Sequence, residues 1–232
     1  MKKGELRKEA IVRTAEKLFF EKGYEETSIQ DILDALSISK GGFYHYFESK
    51  ISLLEEISRQ KSAANIERVR MELFSGKLTS VQKANLILSS IFPFGRESAE
   101  YNALTFKVSY IDGDVHFRDR TRQFVSDELC PLMDETVYAG IADDSFFVRY
   151  PSHIGRLLLM LAYDACDEAC RLLSMDADNP DILINMMDIL YAYREAVEIM
   201  LGCTHGSIQL FDVEQILAAI RQTAEEIRLL EE

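Results

Sequence analysis

The 232-residue chain is 47% hydrophobic and 28% charged, with 4 Pro, 11 Gly and no low-complexity tract, a composition that suits a packed globular protein and excludes a long disordered linker. Its 4 cysteines are too few for a disulfide scaffold. Its longest apolar run, Leu157 to Tyr163, falls far short of the roughly 20 residues that span a bilayer, and its start, MKKGELRKEA, lacks a secretory apolar stretch; a cytoplasmic, reduced protein with no membrane partner is expected. The net charge of −13 speaks against a generic nucleic-acid binder, yet nine Lys/Arg cancel nine Asp/Glu within the first fifty residues, so the excess negative charge lies beyond them and one end of the molecule can still face DNA.

Taken in order, the elements read as helices throughout. The first spans about 6–22, with Ile11, Ala15, Leu18 and Phe19 on one face and Gly23 as its left-handed stop. Thr27 or Ser28 caps a short second helix, with Gln30 or Asp31 as the reciprocal partner of a capping box, and Ile29, Ile32, Leu33 and Leu36 facing inward. Ser37 and Ile38 make a tight turn. Ser39 caps a third helix through Tyr46, and Ser49 caps a long fourth to about Phe74. Further helices are expected at 79–91, 97–111, 114–139, 152–175, 180–202 and 212–230, punctuated by Pro93, Pro131, Pro151 and Pro180; Pro131 is expected to kink its helix. Residues 145–150 read as a short extended piece. No alternating pattern recurs, so the expected class is all-α.

Three short helices and a long one within about fifty residues, the second and third joined by a two-to-three-residue turn, form a unit that can project its third helix into a major groove. Such a helix must be anchored on one side and polar on the other. Phe43 and Phe47, at i and i+4, supply the anchor; Lys40, Tyr44 and His45 remain for DNA; Gly41 and Gly42 clear side chains from the helix start.

The stretch FFEKGYEETSIQDILDALSISKGGFYHYF from Phe19 to Phe47, followed by Glu48, Ser49 and Lys50, resembles the N-terminal domain of TetR-family regulators. The resemblance rests on Phe19 with Gly23-Tyr24, Thr27-Ser28-Ile29, Asp31-Ile32, Ser39-Lys40-Gly41, Tyr44 with Tyr46-Phe47, and Lys50, and covers residues 6–51. The family usually has a small residue where Leu33 stands and Gly where Ser37 stands. A bulkier Leu33 would widen the angle between helices, and Ser37 would bear a left-handed strain of about 1–2 kcal/mol if the turn keeps its form. The resemblance implies a helix-turn-helix DNA-binding domain over residues 1–50 and a larger helical ligand-binding and dimerisation domain over 51–232. It implies DNA contacts from Thr27, Ser28, Ser39, Lys40, Gly41, Gly42, Tyr44, His45 and Lys50: Lys40 and His45 on base or phosphate, Tyr44 on phosphate through its hydroxyl, Thr27 or Ser28 and Lys50 on phosphate at helix starts. Gly42 replaces a residue that often touches DNA in the family.

It further implies a homodimer on a palindromic operator, read as a repressor released by an unidentified small-molecule effector, with the sign of regulation, repressor or activator, left open. The apolar helices 152–175 and 180–202 are the expected dimer bundle, through Leu158, Leu161, Leu172, Met186, Ile189, Tyr193, Val197 and Met200, because their apolar residues occupy more than one face. Phe106, Tyr110, Phe117, Phe124, Met133 and Tyr163 are the candidate pocket residues, the alternative for each being plain core. Cys166 and Cys170 share a helix face, while Cys203 and His205 follow the next helix at the opposite end, so a four-ligand zinc site is geometrically awkward; buried thiols, no metal and no cofactor are expected. No phosphate loop, nucleophile elbow, HExxH pair or dinucleotide fingerprint occurs, so no enzymatic activity is expected. The competing reading is a helical protein-interaction co-regulator without ligand response.

Overall fold

The structure, a computed structural model, describes residues 3–92, 99–176 and 179–231. Pro93 and the expected start of a helix at 97–98 lie outside them. All described regular elements are helical: α1 (Lys3–Lys22), α2 (Ile29–Leu36), α3 (Lys40–Tyr44), α4 (Lys50–Leu73), α5 (Ser80–Ser89), α6 (Ala99–Phe106), α7 (Val115–Ala142), α8 (Ile154–Leu173), α9 (Pro180–Leu201) and α10 (Val213–Glu231). A π-helical turn, Lys107–Ile111, extends α6, and a short 3-10 turn, Pro151–His153, leads into α8. Residues 145–150 are irregular rather than a strand; the Phe147 amide donates to the Leu201 carbonyl at 2.8 Å. α7 runs unbroken through Pro131, which removes one helical donor without ending the element.

Two apolar clusters organise the chain. The first joins Ile11, Ala15 and Phe19 of α1, Ile32 and Leu33 of α2, Phe43 and Phe47 of the α3 region, and Leu53, Leu54 and Ile57 of α4. The opening turns of α4, past residue 50, therefore pack with the N-terminal unit. The same cluster takes Tyr101, Leu104, Val108 and Phe117 from α6, the π-helical turn and α7. The second cluster is the body: the distal half of α4 (Ile66, Val69, Leu73), α5, α7, α8, α9 and Ile216 and Ile220 of α10. α10 lies against α6 of its own chain. Close approaches need glycine at three places, among them Gly202 at the end of α9, where a Cβ would fall 2.7 Å from the Phe147 carbonyl oxygen. A Cβ on Gly140 would fall 2.0 Å from the Phe146 ring, and one on Gly155 would fall 2.3 Å from Asp134 Oδ1, so α7 accepts Phe146 and α8 only because both positions are bare.

Candidate nucleic-acid interface and ligand cavity

The turn between α2 and α3 is built from local polar bonds. Ser28 caps α2 by accepting from the Asp31 amide at 3.1 Å, while its own amide donates to Asp31 Oδ2 at 2.7 Å. Hydrogen bonds from Ser28 and Lys22 hold the Asp31 carboxyl well below the usual carboxylate range. Ser37 closes α2 in the left-handed region (φ 52°, ψ 45°), its amide reaching Asp34. Ser39 caps α3, accepting from the Gly42 amide at 3.2 Å.

Phe43 and Phe47 are buried beneath α3, with ring centroids 5.9 Å apart. Lys40, Gly41, Tyr44 and His45 are exposed on the other side, Tyr44 at 52%. A Cβ on Gly41 would meet nothing within 4 Å, so the approach to this backbone is open. Several basic residues of the head are engaged: Lys8 with Glu56, Lys22 with Asp31 and Lys61 with Glu16. Lys40 makes no ion pair among the described residues, which leaves its charge available to an external anion. Ser28 lies at the start of α2, and Ser39 and Gly42 lie at the start of α3 beside the turn.

Two expected contacts are placed differently. Thr27 is fully buried, and its hydroxyl donates to the Gly23 carbonyl at 2.6 Å and lies 3.2 Å from the Leu18 carbonyl, so it is an internal strut and Ser28 alone of the pair is exposed. Lys50 is half-buried; its Nζ donates to the Tyr24 carbonyl at 2.7 Å and to the Glu25 carbonyl at 3.3 Å and sits 4.2 Å from the Tyr24 ring centroid. It ties the start of α4 to the α1–α2 loop.

Between α4, α6, the π-helical turn, α7 and α8 lies a cavity of about 200 Å³. Of the expected pocket residues, Phe106, Tyr110, Phe117 and Tyr163 line it. Phe124 and Met133 do not: both pack with the body cluster, Met133 fully buried within it. Sequence reasoning missed the polar lining, Lys61, Asn65, Arg118, Arg122 and Asp167. Its signal was the i, i+4 spacing of Arg118 and Arg122, which puts both on one face of α7. The wider π-helical turn brings Ser109 and Tyr110 to the wall, and Arg118 Nη1 donates to the Ser109 carbonyl at 3.3 Å.

Cys166 and Cys170 also line the cavity, and burial pushes both thiols up, Cys170 to about 12, so they are neutral wall atoms. Among the described residues no group of three His, Cys, Asp or Glu side chains is placed to hold a metal ion. No described helix is long and apolar enough to cross a membrane.

The expected dimer residues divide. Leu158, Met186, Tyr193 and Val197 are buried inside their own chain, because α8 packs closely on both α9 and α7, so they offer no surface to a partner; Leu161, Leu172, Ile189 and Met200 are half-buried. The apolar residues that α8 and α9 do expose are Leu157, Met160, Ile184, Tyr191 and Ile199.

Residues 11–57 match the sequence profile described as "Bacterial regulatory proteins, tetR family". Over 44 residues the chain is 57% identical to the uncharacterized HTH-type transcriptional regulator YuxN of Bacillus subtilis, a match covering 19% of this chain and 15% of that one. Over 53 residues it is 42% identical to the HTH-type transcriptional repressor KstR2 of Rhodococcus jostii, covering 23% and 26%. The similarity thus spans about a quarter or less of either relative's length. The fold is similar over most of the chain to the transcriptional regulator FadR from Bacillus subtilis, solved in complex with stearoyl-CoA. The TM-score is 0.54 at 18% identity, covering 85% of this chain and 99% of that one.

Proposed function

We propose that this member of the tetR family of bacterial regulatory proteins, identified by its N-terminal domain, acts as a sequence-specific DNA-binding repressor that a small molecule releases from a palindromic operator. The observation that carries the reading is the α3 surface: Lys40, Tyr44 and His45 exposed together, with Phe43 and Phe47 locked beneath and no described ion pair on Lys40. A short helix so mounted can lie in a major groove with Lys40 and Tyr44 reaching phosphate or base edges. Ser28, Ser39 and the open backbone of Gly41 support phosphate contact beside it, while the Gly42 amide is taken by Ser39. Lys50 acts there by fixing the α1–α2 loop, with phosphate contact only where it exchanges its carbonyl partners.

A homodimer follows from the reach of one head, which reads few base pairs; two heads about 34 Å apart read two half-sites. The exposed apolar faces of α8 and α9 serve as the dimer surface. Ligand response is supported by the cavity, since Tyr101 and Phe117 both line it and pack in the cluster that holds α1, α2 and α3. A molecule filling the cavity favours positions of α6 and α7 that shift the heads away from groove spacing, a change of population between two arrangements. That KstR2 is a repressor supports repression here.

The test is fluorescence anisotropy of the full chain on palindromic DNA drawn from its own upstream region and from a genomic selection, across a salt series. Expected are palindrome-dependent binding, a steep salt slope, and a loss of about tenfold or more in a Lys40→Ala/Tyr44→Ala variant. Weak, sequence-blind binding by a folded protein in both DNA sets, unchanged in the variant, overturns the reading in favour of a protein-interaction module.

A further inference from the structure

The cavity wall is largely apolar, through Ile66, Ile91, Phe92, Phe106, Phe117 and Val125, yet it carries three cationic side chains, Lys61, Arg118 and Arg122, against one carboxylate, Asp167, among its described lining residues. Asp167 is heavily committed. The Tyr110 hydroxyl donates to its Oδ1 at 2.7 Å, Arg122 Nη2 donates to its Oδ2, and Arg118 Nε lies 3.6 Å from that same oxygen. Two guanidinium groups thus share one carboxylate oxygen. The Nε atoms of both arginines are buried without a hydrogen-bond acceptor among the described residues. A buried donor without an acceptor is costly, and each guanidinium offers a planar fork of donors that matches a carboxylate. Lys61 is engaged from outside the cavity by Glu16 of α1, at 2.8 Å.

We propose that the cavity binds a small organic monocarboxylate, its carboxylate held by Arg118 and Arg122 and its apolar body, about the size of one aromatic ring, filling the space beside Phe92, Phe106 and Phe117. The proposal rests on the reading of this cavity as the effector site. The charge follows from the two guanidinium groups on the wall and their unsatisfied Nε donors: a neutral molecule without an acceptor leaves them as they are, and a cation meets two guanidinium charges, Lys61 being paired with Glu16 and Arg122 lying also 3.8 Å from Asp164. The size follows from the volume. An apolar cavity of about 150 Å³ takes benzene, and this one measures about 200 Å³. The neutral thiols of Cys166 and Cys170 add apolar wall and no competing anion.

The experiment is calorimetric titration of the full chain with benzoate, phenylacetate and cyclohexanecarboxylate, each paired with its amide, and with benzylamine, at constant ionic strength. At least one acid is expected to bind tenfold or more tightly than its amide. Arg118→Gln and Arg122→Gln are expected to erase that preference while leaving helical circular dichroism unchanged. Asp167→Asn, which removes the internal competitor, is expected to tighten the acid several-fold. Amides or the amine binding as well as the acids, an acid preference that survives both arginine variants, or no binding by any acid overturns the proposal. Operator anisotropy with the same compounds separates the two readings. Release by an amide or by the amine keeps the effector reading and removes the anion; acid binding with no change in operator affinity keeps the carboxylate site and removes the effector role.

Discussion

Ser37 holds φ 52° and ψ 45° at the end of α2, where its amide bonds to carbonyls of the last turn. An L side chain in this conformation crowds the following carbonyl, at a cost of about 1–2 kcal/mol, which glycine avoids while losing more chain entropy on folding. Ser37→Gly is therefore expected to stabilise the chain by about 1 kcal/mol, read as a higher urea midpoint at unchanged slope; an unchanged or lowered midpoint would mean that the turn is relaxed as it stands. The neighbouring pair Thr27-Ser28 shows what a sequence leaves open at this scale. Both are good caps, and only packing sends Thr27 inward to the Gly23 and Leu18 carbonyls while Ser28 closes the capping box with Asp31.

At the scale of elements, α4 is the strut between head and body, and Glu56 pins α1 to it. Its carboxylate accepts from Lys8 at 3.0 Å, from Arg59 at 2.7 Å and from Gln60 at 3.1 Å. Burial works to raise its pKa, but these donors outweigh it and bring it from 4.5 down to about 2. A group depressed in the folded state stabilises fully above its unfolded value and loses that contribution as pH falls through the folded one. The stabilisation from Glu56 is thus present above about pH 4.5 and fades toward pH 2. Glu56→Gln is expected to lower the urea midpoint at pH 7 and to converge with the parent near pH 2; an equal gap at both pH values would remove the charge as the cause. Helix existence was largely legible from apolar spacing, as in α1 and α2. The π-helical turn at Lys107–Ile111 was not, because one extra residue in a helical ladder leaves the apolar period almost unchanged.

Over the whole molecule, the surface proposed for the dimer is the outer face of α8 and α9. Ile184 and Ile199 are 59% and 74% exposed, with Tyr191 between them on the same side of α9. Isoleucines left in water on α9, beside Leu157 and Met160 exposed on α8, are the basis of the proposed dimer face. Ile184→Asp/Ile199→Asp is expected to convert a dimer into a folded monomer by light scattering, with helical content kept and operator affinity sharply reduced, since one head reads a single half-site. A variant that stays dimeric moves the interface elsewhere.

The sequence by itself determined the helical class and the head. Both are written in short-range terms: apolar spacing at 3.6 residues, serine caps, a two-to-three-residue turn, and Phe43 and Phe47 one turn apart beneath Lys40 and Tyr44. Tertiary structure alone decided which apolar residues of α8 and α9 are core and which are surface. Leu158, Met186, Tyr193 and Val197 carry the same hydrophobic signal as Leu157, Ile184 and Ile199, and only the neighbours on each side tell them apart. It alone decided the cavity's charge, because Lys61, Arg118, Arg122 and Asp167 come from three helices up to 106 residues apart and each reads, in isolation, as an ordinary surface group. It also decided that α10 packs on α6 of its own chain, since an amphipathic stripe declares that a partner exists without naming it.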